Sequence, residues 1–495
     1  DHTSFSGGTM AVERRTVLKS TAAAAAAGPF VGLIATPAQA MSAPSSAGLV
    51  AIPDERDGVV RLHLPEGFRY RSFHDTESPV TLTDGTRLPG RHDGMGAFEG
   101  PGGTVLLVRN HEVNNPTPAF GPGRPYDRMA GGGTTTVQVT KYGEVVRSYT
   151  SLNGTMMNCS GGRMPWGSWV TCEETVNGPD VGADFTNTPN VPLQKRHGYI
   201  YEVPASAYPG SGQSDRTPIR RAGRFAHEAV SFDPVGGALY LTEDNFGFAS
   251  GFYRYTPREN PMTTGALDQH GELHMLKVTG VTNAHLEGNQ VEDTVYQVEW
   301  VPIAEPDVEY PFTEGEPAPT SNNTALTHVS RQGWAQGAAY FSRLEGQVYD
   351  DGVVYFTSTQ GGGPVQDGTA DPAGYGNGSG QVWAYDTEAQ TLRVVFQSPG
   401  PMTLDLPDNV TTSRRGTLVV CEDNINDNYV RGLTTDGELF DIALNRLRSG
   451  TGTDRSNDEF AGSTFSPDGH TLFVNIQASA GMTFAIWGPW EEIGV

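Results

Sequence analysis

The strongest indication of the fold is the sequence Ser466-Pro467-Asp468-Gly469-His470-Thr471-Leu472-Phe473-Val474. A Ser-Pro-Asp-Gly sequence leads directly into a short apolar run. This pattern is typical of a tight turn followed by a buried strand. The same form occurs at residues 233–241 and 413–420, where a polar turn containing glycine precedes another apolar run. This repetition predicts a chain built from successive β-hairpins.

Short runs rich in β-branched and apolar residues recur along the chain, and long periodic helices are absent. Each run is bounded by Gly, Pro, Asn or Asp, as strands are. A turn-then-strand unit of this kind is typical of propeller blades, so we expect an all-β fold, a β-propeller with six blades. Residues 257–330 and 361–380 are expected to be long loop insertions. The predicted strands are 104–108, 169–171, 238–241, 353–356, 417–420 and 471–474.

Composition and charge exclude several classes of protein. The 495 residues are 37% hydrophobic and 18% charged, with 62 Gly and 34 Pro, which indicates a turn-rich globular protein rather than a disordered one. The formal net charge of −24 argues against nucleic acid or an anionic membrane as a partner. An excess of carboxylates suits the binding of hard cations, although charge alone favours a solvated acidic surface as its explanation.

The N-terminal 40 residues have the pattern of an export signal. Glu13-Arg14-Arg15-Thr16-Val17-Leu18-Lys19 forms a twin-arginine region, an Ala-rich apolar stretch follows, and Ala38-Gln39-Ala40 resembles a cleavage site. We therefore expect residues 1–40 to direct export through the twin-arginine translocase. Residues 41–495 should form a single propeller domain with no membrane span, located in the periplasm, the cell wall or the medium.

Only three cysteines occur, Cys159, Cys172 and Cys421, so disulfides do not define the fold. Cys172 and Cys421 each end a predicted strand. They fit buried small apolar residues or a bridged pair better than metal ligands.

Acidic residues recur where the predicted strands begin or end. In a propeller, equivalent positions of successive blades converge on the central channel, so a repeated acid becomes a ring of like charges that needs cations. Calcium binds such carboxylate and amide oxygens, whereas a thiolate among them favours a transition metal. Each acid taken alone could equally belong to a polar turn. The candidate ligands are Glu112, Glu173, Glu174, Glu228, Glu345, Asp408, Glu422, Asp423 and Glu459.

Three longer motifs carry a resemblance to a known family. Residues 158–174 read NCSGGRMPWGSWVTCEE, residues 223–228 read GRFAHE, and residues 459–462 read EFAG, followed by FSPDG at 465–469. In this order they resemble the PhoX-type alkaline phosphatase family. The resemblance implies a six-bladed propeller that holds a pair of ferric ions (Fe3+) and several calcium ions (Ca2+), and a twin-arginine signal is typical of that family.

The resemblance also implies roles for single residues. Cys159 matches the family's iron-binding cysteine, Glu228 and Glu345 match acidic metal ligands, and Arg343 resembles the arginine that contacts phosphate and serves catalysis. The other acids are further ligand candidates. The implied function is an exported phosphomonoesterase that hydrolyses organic phosphate esters for phosphate scavenging.

Two other functions are compatible with the same residues. A calcium-dependent propeller lactonase or phosphotriesterase would need one central calcium and no iron. A noncatalytic propeller would bind calcium for stability and present its insertions to a partner. No P-loop, EF-hand, zinc-finger, GxSxG or GxGxxG motif occurs in a convincing context.

Overall fold

The computed structural model describes residues 48–268, 270–366, 370–371 and 374–495, and the export signal predicted at residues 1–40 lies outside them. The described residues are dominated by strands. None of their helices is both long and apolar enough to cross a membrane. These helices are α1 (Asn322–Leu326), α2 (His328–Trp334) and the 3-10 helices Pro101–Gly103, Arg220–Ala222, Ala266–Asp268 and Trp490–Ile493.

The strands form six antiparallel blades. The chain begins with β1 (Leu49–Pro53), β2 (Val60–Pro65) and β3 (Arg69–Phe73). Blade 1 contains β4 (His92–Glu99), β5 (Val105–His111), β6 (Gly132–Val139) and β7 (Val145–Thr155); blade 2 contains β8 (Asn158–Met164), β9 (Ser168–Glu173) and β10 (Ile200–Pro204); blade 3 contains β11 (His227–Asp233), β12 (Ala238–Glu243), β13 (Phe252–Thr256) and β14 (Glu272–Val278). After β15 (Val295–Pro302), blade 4 contains β16 (Leu344–Asp350), β17 (Val353–Ser358), β18 (Gln381–Asp386) and β19 (Thr391–Gln397); blade 5 contains β20 (Pro407–Thr412), β21 (Leu418–Glu422), β22 (Tyr429–Leu433) and β23 (Leu439–Asn445); blade 6 contains β24 (Glu459–Phe465), β25 (Thr471–Gln477) and β26 (Met482–Trp487).

The blades close into a ring. The inner strands β4, β8, β11, β16, β20 and β24 each contact the next, and β24 contacts β4. N-terminal strand β3 pairs with β26 and completes blade 6, while β2 joins blade 5 beside β23. Strand β15 pairs with both β14 and β19, so blades 3 and 4 share a nine-stranded sheet. The fold is a six-bladed β-propeller, and the all-β prediction is confirmed.

Each predicted strand falls on the second strand of a blade: β5, β9, β12, β17, β21 and β25. These strands are covered on both sides, which makes their sequences the most apolar. The prediction of a loop insertion at 257–330 is partly wrong, because β14 and β15 lie within it. Polar residues interrupt their apolar pattern, such as Glu272 and Lys277 in β14 and Gln297 and Glu299 in β15.

The turn at residues 466–469 shows why the hairpins form. The Gly469 amide donates to the Ser466 carbonyl at 2.8 Å, and Gly469 has a φ of 72°, which glycine adopts without strain. The Asp468 carboxylate accepts the His470 amide at 3.0 Å. Sequence and backbone agree at this turn, so the following strand β25 has a fixed register.

The hydrophobic core is divided among the interfaces between blades. Separate clusters of buried apolar side chains lie between each pair of neighbouring blades. Cys172 lies in one cluster and Cys421 in another, and both are free thiols. They are buried small apolar residues rather than a bridged pair.

Candidate metal centre

A bulge recurs at the start of the inner strands. In β11, His227 pairs with Glu243, but the next regular pair is Val230 with Leu241, so Glu228 lies in a bulge. The same break occurs in the inner strands of blades 1, 2, 4 and 5, and we name the residue directly after the first strand residue the bulge position. The bulge positions are Asp93, Cys159, Glu228, Glu345 and Asp408.

Glycine follows the bulge positions of blades 1 and 4 because neighbouring inner strands approach closely there. A Cβ atom on Gly94 would lie 2.5 Å from the Ser160 Cα atom, and one on Gly346 would lie 2.6 Å from the Asn409 Cα atom. A larger residue would therefore push adjacent blades apart at the level of the bulge positions.

Replacing Gly346 by alanine should lower the free energy of unfolding by about 2 kcal/mol, the usual effect of overpacking. Bound metal should fall as well, because the displaced strand carries Glu345. Urea unfolding and elemental analysis measure the two effects. Gly210→Ala is the control, since a Cβ atom there meets nothing within 4 Å; equal losses in both variants would contradict the prediction.

Two other backbone positions recur in each blade that has this bulge. In each of these five blades, the amide of the residue directly after the second strand donates a hydrogen bond to a backbone carbonyl. That carbonyl belongs to the residue two places before the bulge position. Examples are Glu174 to Met157 and Thr359 to Arg343, both at 2.9 Å. We name these the trailing and the leading positions. The trailing residues are Glu112, Glu174, Asp244, Thr359 and Asp423, and the corresponding leading residues are Arg91, Met157, Ala226, Arg343 and Leu406.

Six side chains at the bulge and trailing positions, together with Glu459 at the first residue of β24, form three groups of potential metal ligands. In each group the ligand atoms lie within 4.8 Å of one another. Glu228 belongs to the first and second groups, and Asp408 belongs to the second and third. The groups therefore form one continuous centre that crosses the channel. The groups are Cys159 with Glu174 and Glu228; Glu228 with Glu345 and Asp408; and Asp408 with Asp423 and Glu459.

The donor set fits cations. All seven side chains are buried, and adjacent carboxylates away from water repel one another unless positive charge is present. Burial, followed by the charges of Glu228, Glu174 and Asp93, raises the pKa of the Cys159 thiol well above its usual value. Only a bound cation would make Cys159 a thiolate here, and the mixture of one thiol with many carboxylates suits a softer metal beside harder ones.

Arg343 lies at the leading position of blade 4, with 4% of its side chain exposed. Its Nε and Nη2 atoms each donate to Asp244 at 3.0 Å, and Nη2 also donates to Glu345 at 2.8 Å. Burial lowers its pKa, but Asp244 and Glu345 outweigh this and raise it. Arg343 therefore stays charged beside the centre, and its Nη1 atom makes only a long 3.4 Å contact to Gln360.

Three predicted ligands lie outside the three groups. Glu173 accepts hydrogen bonds from the Gly198 amide at 2.8 Å and from the Met156 amide at 2.9 Å. Glu422 accepts from the Asp405 and Tyr429 amides and from Arg431 Nε, each at 3.0 Å. Glu112 is contacted by Arg91 and Gln477. Each of these carboxylates fastens the loop or strand that carries a neighbouring residue of the centre.

His197 bridges two buried carboxylates, Glu173 of blade 2 and Asp127 in the β5–β6 connection of blade 1. Its Nδ1 atom lies 2.6 Å from Glu173 Oε1 and its Nε2 atom lies 3.1 Å from Asp127 Oδ2. Burial alone would lower the pKa of His197, but the charges of Glu173 and Asp127 raise it to about 9. The imidazolium is therefore the shared counterion of both acids.

Replacing His197 by alanine should lower the free energy of unfolding by about 3 kcal/mol, because two buried carboxylates lose their cation. Urea unfolding at neutral pH measures this loss. His63→Ala removes a partly exposed histidine and should change stability little. A similar stability in both variants would show that Glu173 and Asp127 do not depend on His197.

The sequence analysis missed Asp93 and Asp244. Asp93 occupies the bulge position of blade 1, is fully buried, and contributes to the raised pKa of Cys159. A signal was present: Arg91-His92-Asp93-Gly94 has the same Arg-x-acid-Gly form as Arg343-Leu344-Glu345-Gly346. Asp244 directly follows β12 in the run Glu243-Asp244-Asn245, and only the fold shows its pairing with Arg343.

A ring of blades that directs carboxylates and a thiol from separate chain segments into one axial centre defines a metal-binding β-propeller. Comparison with protein families gives the more specific assignment. The family model for alkaline phosphatase PhoX matches residues 48–148 and 142–480. The chain belongs to this family, and the protein is a metal-dependent phosphatase.

Comparison with a solved structure supports the fold. Pseudomonas fluorescens PhoX in complex with vanadate, a transition state analogue, is similar with a TM-score of 0.63 and 18% identity, over 89% of this chain and 98% of that one. A gluconolactonase from Xanthomonas campestris has a TM-score of 0.37 and 12% identity, over 88% and 97% of the two chains. No curated protein sequence matches the chain.

Proposed function

We propose that the protein is an exported phosphomonoesterase that hydrolyses organic phosphate esters with a cluster of iron and calcium ions in the propeller channel. The observation that carries this proposal is the sharing of Glu228 and Asp408 among three ligand groups. Shared carboxylates are suited to bridge neighbouring cations, and a cluster of cations can hold a phosphate group that a single ion would hold less firmly.

The donor types suggest how the residues divide between the metals. Cys159, Glu174 and Glu228 would hold iron, because a thiolate favours a transition metal over calcium. Glu345, Asp408, Asp423 and Glu459 offer only oxygen and would hold calcium. Glu112, Glu173 and Glu422 are assigned positioning roles in this proposal, since hydrogen bonds hold their carboxylates.

When bound, the cations would neutralise the phosphoryl oxygens and polarise them for attack. Arg343 is the proposed phosphate contact through its Nη1 atom. The Asp244 carboxylate holds the other edge of the guanidinium, so the donor is oriented before substrate arrives, which is how fixed charges stabilise a transition state.

Export and phosphate scavenging are part of the proposal. They are supported by the twin-arginine pattern at residues 1–40 and by the family assignment. A signal of this type is used by proteins that fold before export, which suits a metal cluster assembled inside the cell.

Elemental analysis of the purified protein beside p-nitrophenyl phosphate hydrolysis tests this function. We expect iron and calcium together in the active protein, and loss of hydrolysis after chelation that returns when both metals are restored. The apoprotein should also melt at a lower temperature, because the metals bind only the native state. Full activity in metal-free protein would overturn the proposal, and calcium without iron would overturn the assignment of Cys159.

A further inference from the structure

Two arginines occupy the same structural position in different blades. Arg91 and Arg343 are both leading residues, and each carbonyl accepts the amide of its trailing residue, Glu112 at 3.0 Å and Thr359 at 2.9 Å. Both have a positive φ, 54° for Arg91 and 39° for Arg343. The backbone therefore has the same form at the two arginines, although the Arg91 side chain contacts Glu112 of its own blade and Arg343 contacts Asp244 of blade 3.

The two arginines lie on opposite sides of the ring of blades. Arg91 precedes β4 of blade 1 and Arg343 precedes β16 of blade 4, and these blades are three apart in a closed ring of six. The other three leading residues, Met157, Ala226 and Leu406, are uncharged. Among the five leading residues, positive charge therefore lies on one diameter of the ring only.

Each arginine is held by a carboxylate at a trailing position. Arg91 Nη2 lies 3.4 Å from Glu112 Oε2, and the Arg343 guanidinium is paired with Asp244. Arg91 retains 13% exposure of its side chain, against 4% for Arg343. Arg91 is therefore the more accessible of the two to a ligand that approaches from solvent.

We propose that Arg91 contacts the phosphate group of the substrate from the side of the channel opposite to Arg343. This inference rests on the proposed function. A phosphate ester carries negative oxygens into a centre built from carboxylates, and two guanidinium groups on opposite sides can meet oxygens that point away from the cations. Arg91 is in this sense a second catalytic arginine, in contact with the phosphoryl group.

Inorganic phosphate is the probe that tests Arg91. In metal-loaded Arg91→Gln protein, we expect the inhibition constant of phosphate to rise at least about 10-fold, the value of one charge-assisted hydrogen bond. Metal content and melting temperature should stay close to those of the unmodified protein. Arg91→Lys should recover part of the affinity, because an ammonium group can still meet a phosphate oxygen.

Two matched variants separate phosphate contact from a structural ion pair. Glu112→Gln removes the same ion pair and loosens the guanidinium without removing it, so the proposal expects phosphate affinity to fall much further in Arg91→Gln; equal losses in both variants would overturn it. Arg69→Gln breaks an arginine–glutamate pair on the outer strand of blade 6 and should leave phosphate affinity and hydrolysis unchanged.

Failure of the proposed function gives a different result. If metal-loaded unmodified protein hydrolyses no ester, that function is wrong, and calorimetric titration with phosphate then decides the role of Arg91 directly. Tighter binding to the unmodified protein than to Arg91→Gln would support the contact. Equal binding, or no binding to either, would overturn it.

Discussion

Replacing Glu228 by glutamine should abolish most phosphatase activity and remove metal from two parts of the centre at once. Glu228 is the one carboxylate common to the group of Cys159 and Glu174 and the group of Glu345 and Asp408. Glutamine keeps the size of the side chain but cannot carry the charge that binds neighbouring cations. Losing several kcal/mol of transition-state stabilisation corresponds to a fall in kcat of about 1,000-fold.

The measurement combines metal content per chain with kcat for p-nitrophenyl phosphate. Glu202→Gln is the matched control: Glu202 is a buried acid that accepts from Trp166 Nε1 at 2.9 Å and lies outside the three groups. It should retain metal and activity. A Glu228→Gln protein with full metal content and unchanged kcat would contradict the shared role of Glu228.

The fold could be predicted from the sequence because its information is local. The hairpin at residues 466–474 contains its own turn residues, and the apolar second strands carry an unbroken signal in every blade. The pairing of β3 with β26 could not be predicted in this way, since the partners are separated by most of the chain. Strands β14 and β15 could not be predicted because polar residues interrupt the apolar pattern of each strand.

The candidate site was only partly predictable, because neighbouring acids have different roles. Glu173 and Glu174 adjoin in sequence, as do Glu422 and Asp423. Successive side chains at a strand end point in opposite directions, so the second acid of each pair enters a ligand group while the first binds its own loop. The sequence shows both acids, but it does not show in which direction either side chain points.

The bulge explains why the ligands are not spaced regularly along the chain. A bulge adds residues to one strand and turns a side chain away from the normal alternation. Five blades share this feature. In blade 6 the break comes later, after Ala461, and Glu459 enters its group from the first residue of β24. Glu459 is the first residue of its strand, whereas Asp408 is the second residue of its strand. Strand alternation alone would therefore not predict that both side chains enter the same ligand group.

Replacing Arg343 by lysine should lower kcat/KM for phosphate esters by about 100-fold, the typical effect of removing one fixed donor to a developing charge. Lysine keeps the positive charge, but a single ammonium group cannot bind the Asp244 carboxylate in two places, contact Glu345 and reach phosphate together. Arg343→Ala should additionally lower the free energy of unfolding by about 3 kcal/mol, because it leaves buried carboxylates without their cation.

Arg224 provides the matched control for this experiment. It is a buried arginine whose Nη1 and Nη2 atoms bind both oxygens of Asp180, at 2.7 and 2.9 Å, and it lies outside the ligand groups. Arg224→Lys breaks the same kind of two-point ion pair, so it should lose comparable stability while its kcat/KM, corrected for metal content, stays unchanged. If the two lysine variants lose activity equally, Arg343 acts only through the stability of the fold. If only Arg343→Lys loses activity, its remaining donor acts on the substrate, and the ion pair with Asp244 serves to aim it.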